Sequence, residues 1–317
     1  VQRKLLFLLI LCTTILVGCR DDQFPSIDQH QSFLASMNIL EPSMTFYGES
    51  GELIAEWKFD KGYSGALIVN NHVLFYGHQL TEADIYELSS GKLVSTIKTG
   101  VGSTNAYYDL TYKRVFITNS VRNSVTSFDT QGNKLDECSL GEYPMSMTSN
   151  NGLLYVINYK DSKLSIVNID TMDLHDEWTI NESSNGILIV PEKNTVWIGG
   201  HGKGNKANRT VDILDLKSGE LQHQLDVSIM PVGFSRSEDE IYIINHGSNE
   251  LHATNLDGQA LWNIEIGANP FTVANFNGNV VVAGFDDHKI YILNDQKLIK
   301  TIDTGSGPFQ LLVREVS

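Results

Sequence analysis

Residues 141–180 read GEYPMSMTSNNGLLYVINYKDSKLSIVNIDTMDLHDEWTI, and this stretch decides the fold. It opens on a Gly-x-x-Pro turn, Gly141 to Pro144, with a first strand after it. The string LYVIN at 154–158 is β-branched and aromatic, as a buried strand requires. A third string, LSIVNI, follows, and a more polar, alternating fourth, DEWTI, closes the unit. Four short strands joined by tight turns make one blade of a β-propeller.

The unit recurs in both directions. The turn appears as Gly62-Tyr-Ser-Gly65, Gly100-Val-Gly-Ser103, Gly267-Ala-Asn-Pro270 and Gly305-Ser-Gly-Pro308, with degenerate copies ending at Ser184 and Pro231. Its fourth positions, 65, 103, 144, 184, 231, 270 and 308, are spaced 38, 41, 40, 47, 39 and 38 residues apart. The second-strand string recurs with them as LFYGH, VFITN, VWIGG, IYIIN and VVVAG. A fixed period near 40 is the signature of a repeat architecture. Pro308 is followed by one strand, FQLLVREV, and nothing to pair it. SFLASMN (32–38), SMTFYGE (43–49) and LIAEWKF (53–59) supply the missing three. The expected fold is therefore all-β: a seven-bladed β-propeller over 32–317, closed by the C-terminal strand joining the N-terminal strands. Such closure leaves no exposed edge between first and last blade.

These strings resemble the YVTN family of β-propellers, LYVIN and IYIIN most closely. The departures are Gly77-His78, Gly199-Gly200 and Ala283-Gly284 in place of the threonine-asparagine pair. The resemblance implies a propeller common in extracytoplasmic bacterial and archaeal proteins, and no single activity. Fold alone does not supply one.

At the N-terminus, Arg3 and Lys4 precede an apolar run from Leu5 to Val17, and then Leu16-Val17-Gly18-Cys19. A cationic start, a short apolar core and small residues at a cleavage point describe a secretory signal, residues 1–18. The run is shorter than the ~20 residues of a membrane-spanning helix. The four residues ending in Cys19 resemble a bacterial lipobox, which implies a lipidated, palmitate-type acylated cysteine. The expected address is a membrane's extracytoplasmic face, periplasmic in a diderm cell, with residues 19–31 as lipidated cysteine and polar tether. Of three cysteines, Cys138 alone remains a thiol, so no disulfide framework exists. Without Arg3 and Lys4 the chain holds 21 basic against 38 acidic residues, net −17. That balance argues against a nucleic-acid partner, which needs a positive surface. A monomer is expected.

In a four-stranded blade the loop after the second strand and the loop to the next blade share one face. That rim gathers the candidate ligand-binding residues: His78, His201 and His246; Asn119, Asn158 and Asn245; and Tyr143, Phe271 and Phe309. Together they suit a concave polar-aromatic site. Asparagine and histidine also satisfy backbone groups in turns, so both readings stand. The histidines belong to blades one, four and five. Blades one and four are far apart around a seven-fold ring, and each ligand to a zinc-like ion must approach within ~2.1 Å. No metal or other cofactor is expected. The insertion HGKGNKANR at 201–209 is a local basic spot through Lys203, Lys206 and Arg209. Asp286-Asp287-His288 lacks the oxygen-ligand spacing of a calcium loop. Neither Cys-x-x-Cys-His nor Gly-x-Ser-x-Gly occurs.

Three functions remain open. One is a non-catalytic binding or scaffold module that turns its loop-lined face toward an envelope protein or cell-wall component. A second is an envelope lyase or lactonase, as the family resemblance allows, with His246 or His201 as base. A third is a quinoprotein-type oxidoreductase, for which Asp170 and Trp178 match a tryptophan docking spacing. Trp57 and Trp262 do not match it, and all three tryptophans suit packing between blades.

Overall fold

A computed structural model of the protein describes residues 23–316. The expected signal and Cys19 lie outside the described residues. Seven four-stranded antiparallel sheets make up the architecture, with one extra two-stranded hairpin. The inner strands are Gly65–Val69, Ser103–Asp109, Pro144–Asn150, Ser184–Val190, Pro231–Arg236, Pro270–Phe276 and Pro308–Arg314, blades one to seven in order. Each repeat marker is thus the first residue of an inner strand. Each inner strand contacts the next, and that of blade seven contacts that of blade one, so the ring is closed.

Blade seven has the expected composite origin. Pro308–Arg314 pairs with Phe33–Asn38, which pairs with Ser43–Tyr47 and then Leu53–Lys58. The second and third strands of each blade are largely buried on both faces, because blades stack on both sides of them. Phe75, Phe116 and Trp197 in second strands are fully buried. The outer strands are largely exposed and polar, as in Leu174–Thr179. Every blade carries a bulge between third and outer strands. A bulge adds local twist, which a radial sheet needs. Cys138 is buried between blades two and three, as a small apolar residue would be.

Residues 23–31, read from sequence as part of a tether, are instead docked on the ring most closely from Gln23 to Ile27, while Gln29 and His30 are exposed. Gln23 bridges Lys92; Phe24 N–H donates to Gly91 O at 2.9 Å, and Ile27 N–H to Leu88 O at 2.8 Å. The Phe24 ring stacks on Trp57 at 4.9 Å, Trp57 Nε1 donates to Pro25 O, and Ile27 is fully buried. The segment therefore closes the apolar seam between blades seven and one. The polar pattern of RDDQFPSIDQHQ hid this, because only Phe24, Pro25 and Ile27 carry the contact. It runs along the turns that join third to outer strands, on the face opposite the histidine rim.

Candidate functional site

One local device builds the rim in six of the seven blades. The residue before the inner strand has a left-handed backbone: Gly102, Tyr143, Ser183, Met230, Asn269 and Gly307, with φ from 53° to 104°. Its carbonyl accepts the N–H of the residue after the second strand. The pairs are Gly102–Ser120, Tyr143–Tyr159, Ser183–His201, Met230–His246, Asn269–Phe285 and Gly307–Ile39. An L-residue with a side chain is strained in this region, and strain of that kind gathers at functional sites. Here it sets an inter-blade residue beside a post-strand residue.

The inner strand then bulges in the same six blades. Between Pro270 and Thr272, for example, Phe271 has no partner of its own. The extra residues are Thr104, Met145 with Ser146, Asn185, Val232, Phe271 and Phe309. All of them line a cavity of about 340 Å³ on the ring axis. Every blade contributes to its wall, from Ser64 and Tyr76 of blade one to Phe309 and Gln310 of blade seven. The bulge thus places added side chains at the channel mouth.

Above the cavity runs a chain of rings. His78 stacks on Tyr143 at 6.2 Å between centroids, Tyr143 meets Tyr159 at 6.2 Å, and Tyr159 meets His201 at 6.3 Å. His201 and His246 lie edge to face at 5.3 Å, and His246 stacks on Phe271 at 4.5 Å. Phe271, Phe285 and Phe309 complete the arc. Six sequence-derived candidates, His78, Tyr143, His201, His246, Phe271 and Phe309, therefore sit together. His78 and His201 remain apart, as the ring geometry requires, and two tyrosines join them.

Sequence reasoning missed Tyr159 and Phe285. They stand one residue past the second strand, the position of His201 and His246, so the repeat register alone would have found them; His78 stands two residues past Tyr76, the end of its strand. The three asparagines are a correction. Asn119, Asn158 and Asn245 are fully or almost fully buried. Asn119 Nδ2 donates to Thr99 O and Val101 O, and its Oδ1 accepts the N–H groups of Val121 and Arg122. Asn158 donates to Ser165 Oγ and Asn245 to Ile243 O. They end the second strand with side chains buried in the blade, away from any ligand; Asn119 holds the turn that follows, while Asn158 and Asn245 each keep a buried Oδ1 without a partner.

The imidazoles differ in their surroundings. His246 Nδ1 bonds Asn269 Oδ1. Asn Oδ1 only accepts, so the Nδ1–H of His246 donates to it. His78 Nε2 lies 3.0 Å from Ser120 Oγ. Burial, and then the charge of His246, hold the His201 imidazole below its usual range, and its buried Nδ1 has no partner. His201 fits beside the blade-five loop because Gly199 and Gly200 precede it. A Cβ at Gly199 would lie 2.3 Å from Pro231 O, and one at Gly200 2.4 Å from Ser183 O. Blade four has no room for a threonine-asparagine pair.

The other signals resolve locally. The insertion forms a hairpin of Gly202–Lys203 with Lys206–Ala207, and Lys203 pairs with Glu182. Asp287 bonds Tyr291 and the Ala268 N–H, while His288 Nδ1 faces Phe285 O and the Gly307 N–H. Among the described residues no three His, Cys, Asp or Glu side chains converge as a metal site. Trp178 Nε1 bonds Asp176 rather than Asp170, and no tryptophan lines the cavity.

No family model matches this sequence, and no curated protein does. The YVTN resemblance therefore remains one of strand strings. Solved structures do match in fold. The hydrazine synthase of Kuenenia stuttgartiensis has a TM-score of 0.72 at 12% identity, covering 85% of this chain and 97% of that one. A functionally unknown protein from Desulfotomaculum acetoxidans has a TM-score of 0.72 at 11% identity, with coverages of 89% and 98%. Apo AztD from Citrobacter koseri has a TM-score of 0.62 at 10% identity, with coverages of 90% and 97%. At these identities the likeness is one of fold.

Proposed function

We propose that this propeller is a non-catalytic binding module of the cell envelope, held to a membrane by a lipid on Cys19, with its channel mouth as the binding site. The arc of eight rings over an axial cavity carries the reading. Aromatic faces with a few polar groups in a concavity are the usual make-up of a ligand site. The docked N-terminal segment supports it too. Cys19 is four residues before Gln23 and so lies within ~14 Å of it. Gln23 sits on the perimeter near the opposite face, which leaves the mouth free of the bilayer.

The lyase or lactonase reading calls for a histidine paired with a carboxylate at the mouth. His246 is paired with an amide, and His201 with no carboxylate. The binding reading is favoured on that ground.

A photo-crosslinking residue at position 309, in cells, tests the mouth. Phe309 is 40% exposed, and Leu110 on the opposite face serves as the control position. Capture at 309 and not at 110 is expected. Equal capture at both refutes a mouth-specific site. Alkyne-palmitate labelling lost in Cys19→Ala tests the anchor.

A further inference from the structure

The cavity wall carries information about what enters it. No Asp, Glu, Lys or Arg lines it, although the chain is strongly acidic. Lys160 lies over the Tyr143 ring at the rim, outside the wall. A charged group brought down the axis would lose its water and meet no opposite charge, which is costly. The wall still makes hydrogen bonds. Asn105 Oδ1 accepts the Ala106 N–H, and Gln310 Oε1 accepts the Ala66 N–H, which leaves each amide NH2 as a donor. Phe271 and Phe309 add flat apolar faces at the entrance.

From this we infer that the mouth takes an uncharged sugar, free or as the end of a neutral glycan. The inference rests on the mouth being the binding site. A pyranose has an apolar C–H face suited to an aromatic ring. Its hydroxyl oxygens accept, as the amide NH2 groups of Asn105 and Gln310 demand.

The test uses the full chain in detergent and calorimetric titration. The panel is glucose, galactose, mannose, N-acetylglucosamine and their β-1,4 disaccharides, each beside the matching uronic acid. Concentrations reach ~10 mM, enough to saturate a ~1 mM site. At least one uncharged sugar should bind saturably, with its uronate ~10-fold weaker, the effect of an unpaired charge at a dry wall. Gln310→Ala and Phe309→Ala should each weaken binding ~5-fold or more, with urea unfolding checking that both still fold. Tighter binding of the disaccharide points to a glycan end, and equal binding to a free sugar.

No saturation by any uncharged sugar overturns the inference, as does a uronate that binds equally. If position 309 still crosslinks in cells after such a result, the mouth reading stands and only the ligand class falls. Sugar binding untouched by both variants would overturn both, because the sugar would then sit elsewhere.

Discussion

Ile27→Ala separates a docked N-terminal segment from a free tether. Ile27 is fully buried against the seam of blades seven and one, and its N–H donates to Leu88 O at 2.8 Å. The substitution removes three carbon groups at ~0.8 kcal/mol each, or ~2.4 kcal/mol of transfer free energy. A residual cavity raises this to ~3–4 kcal/mol. The segment is peripheral, so it could undock instead of leaving a cavity. Undocking would lose the Phe24 stack and uncover Trp57, so the loss is bounded by the free energy of docking. Equilibrium urea unfolding, followed by tryptophan fluorescence, reads the difference. A loss of ~3 kcal/mol and a Tm lower by ~5 °C are expected. Ile299→Ala, at a residue 58% exposed, is the control and should stay within ~0.5 kcal/mol. Gly91→Ala reaches the same seam from the other side. Its φ is +67°, and a Cβ there would lie 1.9 Å from Phe24 O, so it should undock the segment with Ile27 intact. If Ile27→Ala falls within ~0.5 kcal/mol of the parent, the docked segment contributes nothing and the reasoning fails.

Two buried carboxylates should respond to pH in opposite directions. Burial pushes Asp84 up, but bonds from Lys61, Tyr63 and Thr96 outweigh it and hold the carboxyl below its usual range. Its stabilisation is present above the unfolded value of ~3.9 and fades as pH falls through the lower folded value, so Asp84→Asn should cost ~2 kcal/mol near pH 7 and less in strong acid. Burial raises Asp212 despite amide donors from Gln224 and Asn181, so Asp212→Asn should become relatively more favourable as pH rises from about 4 to 7. Urea midpoints against pH check both, and parallel slopes for the two variants would contradict the assignment. Neutral His201 stabilises above its ordinary value of ~6.5, and that contribution is lost as pH falls through the lower folded value; His201→Gln should flatten the acid loss of Tm between about pH 6.5 and 5. Burial and the nearby Asp173 and Asp136 raise the Cys138 thiol, so alkylation near pH ~8 should be slow in the native protein and fast in urea; rapid native labelling would place the thiol at the surface.

Much of the site was legible because a repeat carries its own register. Any residue one step past a second strand must share a rim with the inter-blade loops. That argument reaches His201 and His246, and with the loop positions Tyr143, Phe271 and Phe309; His78 lies two steps past its strand and joins the rim all the same. It fails for Asn119, Asn158 and Asn245 by a single residue. Successive side chains along a strand point to opposite sides, so the last strand residue turns into the blade while the next reaches the rim. The polar wall was not legible. Thr104, Asn185 and Ser146 lie in stretches that read as ordinary strand, and only the unpaired bulge positions turn them to the axis.

The sequence by itself determined the blade, the number of blades and the composite closure. These follow from local strand and turn chemistry repeated at a near-constant period, which does not depend on distant contacts. Tertiary structure decided the rest. Docking of residues 23–31 depends on an apolar seam that exists only once blades seven and one meet. The arc of rings depends on six separate loops and two strand bulges converging on one axis. The uncharged wall depends on six bulges that no single blade reveals in its sequence. Each joins residues far apart in the chain, and their chemistry is fixed by what the closed ring sets beside them.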